Sequence, residues 1–186
     1  MLRFDCQGTT TRTDVGYIQG TGADNINLVI WHMSGWPYGQ SALALTTTTY
    51  SPSDGVIVDS DLEVNGENYR WRVLAGVDTR FMDIGNTVTH EAGHFLGLDH
   101  VSDAATTMYP TAPPGEISKR VLSSDDINGV CSIYSVDGYD GGIGVNTGGA
   151  GSAGGTGGKS TGTASDGTGS FSKPGGCGCT TVGLEP

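Results

Sequence analysis

The stretch His90-Glu91-Ala92-Gly93-His94-Phe95-Leu96-Gly97-Leu98-Asp99-His100 decides how this chain is read. On a helix, His90 and His94 project from one face about one turn apart, so both imidazoles can reach one ion. Glu91 sits roughly 100° round that helix, beside the ion and not bonded to it. Gly97 comes three residues after His94, where a left-handed residue can end the helix and turn the chain back. His100 then supplies a third nitrogen from outside the helix. Three protein ligands leave the fourth tetrahedral position of a zinc ion open. Of the four histidines in the chain, only His32 lies elsewhere; in an apolar strand it reads as a packed or surface histidine, not a ligand.

This residue set permits one kind of chemistry in particular. Zinc held by His90, His94 and His100 would lower the pKa of its water toward about 7 and polarise a peptide carbonyl. Glu91 would take the water's proton and hand it to the leaving amine. Both roles need a carboxylate close to the metal but off it.

Composition narrows the alternatives. The chain has 186 residues, 35% hydrophobic and 16% charged, enough for one modest globular domain. A formal charge of −11 with no basic cluster argues against nucleic acid as a partner. No apolar run approaches the roughly 18 residues needed to span a membrane, and Met1 to Gly8 lacks the basic and apolar regions of a signal peptide. From Gly138 to Gly178 there are 17 of the 32 glycines, mixed with Ser, Thr and Ala. Such a segment cannot offset its ordering entropy, so residues 135–186 are expected to be a disordered tether and residues 1–134 the folded domain. That domain keeps a charge of −9, from seven basic and sixteen acidic residues.

Within the domain, strands come first and helices later. Residues 26–31 and 42–50, the latter with a threonine run, read as strands. Residues 56–64 and 69–74 flank Asn65-Gly66, a hairpin signal. Residues 84–96 form the histidine helix, with Asp83 or Asn86 near its start. Ser123 or Ser124 can cap a final helix whose Ile127, Val130, Cys131 and Tyr134 share one face. Strands followed by helices predict an α+β fold, a mixed sheet above a cleft with a helical lower part.

The full motif HExxHxxGxxH, followed by Thr107-Met108-Tyr109-Pro110, resembles the metzincin metallopeptidases. HEAGHFLGLDH, MYP and the segment Leu122 to Val130 are most similar to the matrixin branch, the matrix-metalloproteinase-like peptidases, of a bacterial type. The resemblance covers roughly residues 42–134. It implies a mixed twisted sheet over a zinc cleft, and it places Met108 beneath the metal as an apolar floor, a role hardly distinct from that of an ordinary core methionine. It puts residues 42–47 on the upper rim, where an extended peptide could pair with the strand edge. Leu43, Ala44 and Leu45 would line that rim unless they are plain core residues, and Pro110 would wall the pocket beside His90.

Departures from the family pattern carry their own expectations. Matrixin domains begin with a strand and a long helix before the strand that matches Leu2 to Cys6. Their absence predicts an N-terminally incomplete domain, or else a natural minimal variant, with an apolar sheet face left exposed. Leu45, Thr46 and Ile57 stand where the histidines of a second, structural zinc are expected, so one zinc is predicted. Asp59, Asp61 and Glu63 alternate along a strand and are similar to the family's calcium-binding stretch; they fit calcium or an ordinary solvent-facing polar face. The position after His100 holds Val101, which matches no branch cleanly, and Pro110-Thr111-Ala112 lacks the family's tyrosine.

Cys6 and Cys131 either pair in an oxidising compartment or remain two thiols. The tail closes on Cys177-Gly178-Cys179, which resembles the start of C-terminal surface-sorting signals in some predatory soil bacteria or forms a terminal metal-binding pair. Together these features predict a secreted or cell-surface zinc endopeptidase acting on extended proteins or peptides, tethered through its tail. The alternative from another class is a catalytically silent zinc module that binds peptides or surfaces, which would have no need of Glu91.

Overall fold

The computed structural model describes residues 4–20 and 25–134, which fall within one compact unit, Leu2–Tyr134. The glycine-rich tail with Cys177 and Cys179 lies outside the described residues.

A three-stranded sheet carries the upper part: β1 (Val29–His32), β2 (Ala44–Tyr50) and β3 (Ile57–Asn65), in the order β1-β3-β2. β3 runs parallel to β1 and antiparallel to β2. The threonine run of β2 suits a strand because branched Cβ atoms fit the pleated surface. Register pairs Thr48 with Ser60, Thr46 with Leu62 and Ala44 with Val64, so these residues share one side of the sheet. That side faces the histidine helix, since Thr48 Oγ1 donates to the carbonyl of His94 at 3.2 Å. On the same side, Val29 and Trp31 pair with Leu62 and Val64 yet stay 69% and 41% exposed. An apolar part of this face therefore stands uncovered. Leu28, Ile30, Leu62, Val64, Leu74, Met82 and Met108 form the apolar core.

Below the sheet, β4 (Trp71–Arg72) pairs parallel with β5 (Met82–Asp83), and β5 leads directly into α1 (Ile84–Phe95). A 3-10 turn at Ser118–Arg120 precedes α2 (Ser124–Ile133). Ser123 caps α2 with a reciprocal capping box to Asp126. Ile127, Val130, Cys131 and Tyr134 are all half-buried along one face of α2, as the periodicity predicts.

Two expectations fail. Asn65-Gly66 does not turn a hairpin, because β3 pairs with β1 and β2 and never with β4. Asn65 is fully buried and spends its side chain on contacts, donating to the Ala42 carbonyl at 2.8 Å and accepting from the Asn68 N–H at 3.0 Å. Gly66 is there for space: an added Cβ would fall 2.0 Å from Trp31 Nε1. Of the strand matched to Leu2 to Cys6, the described residues Phe4, Asp5 and Cys6 lie in no strand, and the others lie outside the described residues. Phe4 packs edge-on against Phe95 at 5.6 Å between ring centroids instead. No disulfide joins Cys6, which is exposed, to Cys131. No helix among the described residues is long and apolar enough to cross a membrane.

Candidate active site

Three local devices position the histidines. Asp83 caps α1, its carboxylate accepting from the Asn86 N–H at 2.6 Å. Arg120 binds the same carboxylate, which also accepts from the Leu74 N–H at 2.8 Å. At the other end Gly97 takes φ +91°, a left-handed conformation that residues with a side chain rarely adopt. The Gly97 N–H donates to the His94 carbonyl and the Leu98 N–H to the Gly93 carbonyl, both at 2.9 Å. This double bond pattern stops the helix and swings the chain toward His100.

The imidazoles then converge. His90 Nε2 and His94 Nε2 lie 3.2 Å and 3.0 Å from His100 Nε2. His90 Nδ1 sits 2.7 Å from the Thr107 carbonyl, and His94 Nδ1 sits 2.8 Å from the Leu98 carbonyl. Those carbonyls can only accept, so the Nδ1 atoms carry the protons and the Nε2 lone pairs point at one another. With Zn–N bonds of about 2.0–2.1 Å, tetrahedral ligands sit about 3.3 Å apart. The observed spacings therefore fit one zinc ion, and the three residues form a group able to hold a metal. Burial pushes the His90 pKa down to about 4, and burial lowers that of His100 as well. Neutral imidazole, the ligand form, is thus favoured.

Glu91 is buried beside them, and its Oε2 accepts from Thr46 Oγ1 at 2.7 Å. Burial raises its pKa, with the Thr46 bond and the charges of His94 and Lys119 opposing. Beneath the histidines Met108 is 2% exposed and packs on Gly93, where an added Cβ would fall 2.2 Å from Met108 Sδ. Met108 and α1 thus meet at a contact that only glycine permits.

Asp126 holds this floor in place. Its carboxylate accepts from the backbone N–H of Thr107 at 3.0 Å, of Met108 at 3.2 Å and of Ser123 at 2.8 Å. Burial alone would push the Asp126 pKa up, but these bonds hold it below the usual carboxylate range. Sequence reasoning left Asp126 without a role, although the Ser-x-x-Asp spacing of a capping box was visible.

A cleft of about 760 Å³ runs past the histidines and Glu91, lined by Leu43, Ala44, Leu45 and Pro110. All four border the cleft, but only Ala44 of the strand residues shares the α1-facing side with Thr46; Leu45 pairs with Glu63 and turns its side chain to the other face. β2 borders the cleft as the sheet's edge strand.

Asp59, Asp61 and Glu63 are on the other side of the sheet, away from the cleft, and they are not solvent-facing: each is at most 2% exposed. The covering groups come from distant parts of the chain. Asp61 accepts from the N–H groups of Gly16 at 2.6 Å and Leu28 at 2.8 Å. Glu63 meets His32 Nε2 at 2.6 Å and the Tyr38 hydroxyl at 2.5 Å, which pushes the Tyr38 pKa up to about 12. His32 is accordingly a packed, bonded histidine. Asp59 Oδ2 is buried with no hydrogen-bond partner.

A zinc-type histidine triad on a capped helix, over a methionine turn and under an edge strand, defines a class of metallopeptidase fold. The family model for matrixins, the M10 peptidases, matches residues 31–135, and the chain belongs to this zinc-dependent family. It is 41% identical over 59 residues to Metalloendoproteinase 1 of Glycine max, covering 32% of this chain and 19% of that protein. It is 34% identical over 85 residues to Matrilysin of Homo sapiens, covering 46% of this chain and 30% of that protein. It is 32% identical over 112 residues to Metalloendoproteinase 2-MMP of Arabidopsis thaliana, covering 57% and 27%. The matched stretch is thus less than a third of each relative's length. These relatives are plant and human proteins and lend no support to a bacterial branch.

Proposed function

We propose that the chain is a zinc-dependent endopeptidase that cleaves extended protein or peptide substrates, with Glu91 as its general base. The observation that carries this reading is the convergence of three Nε2 atoms with a buried carboxylate beside them. His90, His94 and His100 would hold the ion, which when bound supplies Lewis acidity toward the peptide carbonyl and the attacking water. Glu91 takes the proton of that water and passes it to the leaving amine. Thr46 fixes Oε2, which leaves Oε1 to move the proton. A carboxylate whose pKa is raised by burial is a better base than one in free solution. The outer edge of β2 offers its backbone groups to an extended substrate, which would add as a further strand. Membership of a family whose proteins are typically secreted or extracellular favours a secreted or cell-surface setting.

The test is turnover of a mixed fluorogenic peptide pool by zinc-loaded protein beside Glu91→Ala of equal zinc content. Cleavage that falls by at least about 10³-fold in the variant supports the reading, in line with the loss of a positioned base. Two proteins that each bind one zinc and never cleave would replace it with a silent peptide-binding module.

A further inference from the structure

We propose that the inner end of the cleft is a pocket for an acidic side chain, glutamate by preference, with Lys119 as its counter-charge and Thr87 as a second donor. The inference deepens the peptidase reading and rests on it for the identity of the substrate. Lys119 lines the cleft, is 4% exposed, and is the one Lys or Arg among the lining residues. Its backbone is fixed on both sides, the N–H donating to Asn86 Oδ1 at 2.8 Å and the carbonyl accepting from Thr107 Oγ1 at 3.2 Å.

The side chain is less well served than the backbone. Nζ donates to the Tyr109 carbonyl, and no carboxylate among the described residues lies within ion-pair distance of it. An ammonium carries three donors, and a buried charge without a counter-ion is costly. Burial lowers the Lys119 pKa, while the more distant charges of Glu116, Glu91 and Asp126 raise it. Thr87 gives the second, independent observation. It lines the same cleft one residue from Asn86, it is 5% exposed, and its Oγ1 is buried without a hydrogen-bond partner.

A carboxylate within reach of both groups would satisfy them through charge-assisted bonds. Pro110 and Ala112 line the cleft as well, and they suit the methylene stem of a glutamate. The chain as a whole is strongly acidic, with a charge of −11, so its long-range field does not draw acidic peptides in. Selectivity would therefore come from Lys119 at short range. Lys119 and Pro110 line the same cleft as His90 and Glu91, so the residue selected would be one beside the scissile bond, taken as the one just after it.

The experiment compares peptides that differ only in this residue, Glu, Gln or Leu, using the full zinc-loaded chain. The expected kcat/KM for Glu exceeds that for Gln by at least about tenfold, the effect of one charge-assisted bond. Lys119→Met should cut this ratio by about tenfold or more, and Lys119→Arg should restore part of it. Binding of the same labelled peptides to the Glu91→Gln chain, read by fluorescence anisotropy, reports the pocket without turnover. A Glu-to-Gln ratio near one in both readouts overturns the proposal. So does a ratio unchanged in a folded Lys119→Met protein with one zinc, or a loss of all three peptides alike. Turnover without Glu selectivity would leave the peptidase reading standing and sink the pocket. Glu-selective binding without turnover by the parent chain would do the reverse.

Discussion

The two sides of β3 bury polar groups in opposite ways. Toward α1, Ser60 pairs with Thr48 at 2.9 Å, Thr48 reaches the His94 carbonyl and Thr46 reaches Glu91. The two threonine contacts to α1 each reach a residue of the candidate site, His94 or Glu91. On the far side, Asp61 and Glu63 hold the segments around Gly16, Leu28, His32 and Tyr38, and Asp59 is left with an orphan oxygen. One side uses polarity to position a site, and the other uses it to fasten irregular chain onto a sheet. The first tolerates little change, whereas the second contains a group whose removal should help.

The largest effect should come from the floor on the α1 side. Asp126→Ala leaves three backbone N–H groups without their acceptor, each costing about 1–3 kcal/mol when buried. Chemical denaturation should show a loss of at least about 3 kcal/mol, together with weaker zinc retention, because the Thr107 carbonyl that orients His90 moves with this turn. A loss under about 1 kcal/mol would mean that the methionine turn stands without α2.

Next comes Gly93→Ala. A methyl placed 2.2 Å from Met108 Sδ forces the floor away from the helix, at a cost of about 1–3 kcal/mol for overpacking. Thermal melting checks it, and Gly93→Ala with Met108→Ala should recover part of the loss.

Smaller effects should follow pH, and they have opposite signs in the two regions. Asp83 and Asp126 are pushed up by burial, but their hydrogen bonds, with Arg120 at Asp83, outweigh it and hold both below the ordinary carboxylate range. Their folded-state pKa values lie below the unfolded value of about 3.9. Stability from these groups is present above that pH and is lost as pH falls through the folded values. Asp59 is raised instead, by burial, by the charge of Asp61 and by a hydrogen bond shared with Asp61, so its contribution is lost as pH rises past the unfolded value. Asp59→Asn should therefore raise the melting temperature at pH 7, by an amount equivalent to about 1 kcal/mol, and the gain should shrink toward pH 3. A variant that melts lower at pH 7 would show that the charged form of Asp59 is stabilised in the fold.

What the sequence revealed follows the same divide. The helix carrying His90 and His94, its start at Asp83 or Asn86, its stop at Gly97 and the α2 start at Ser123 or Ser124 all depend on neighbours within a few residues and were legible, the fold choosing Asp83 and Ser123 as the caps. Asn65-Gly66 misled because the contacts that decide it come from Trp31, Ala42 and Asn68, which override local turn chemistry. Asp59, Asp61 and Glu63 read as solvent-facing because the segments that bury them are 25 or more residues away in the chain. Lys119 and Thr87 carried no motif at all; only the fold shows that both line the cleft.

The most direct test of the account is zinc X-ray absorption on the full chain loaded with one equivalent of metal. The account predicts a first shell of nitrogen and oxygen at about 2.0–2.1 Å with the outer-shell pattern of three imidazoles, lost in His94→Ala. A shell containing sulfur at about 2.3 Å, unaffected by that substitution, would place the metal on cysteine and rule out the three-histidine site.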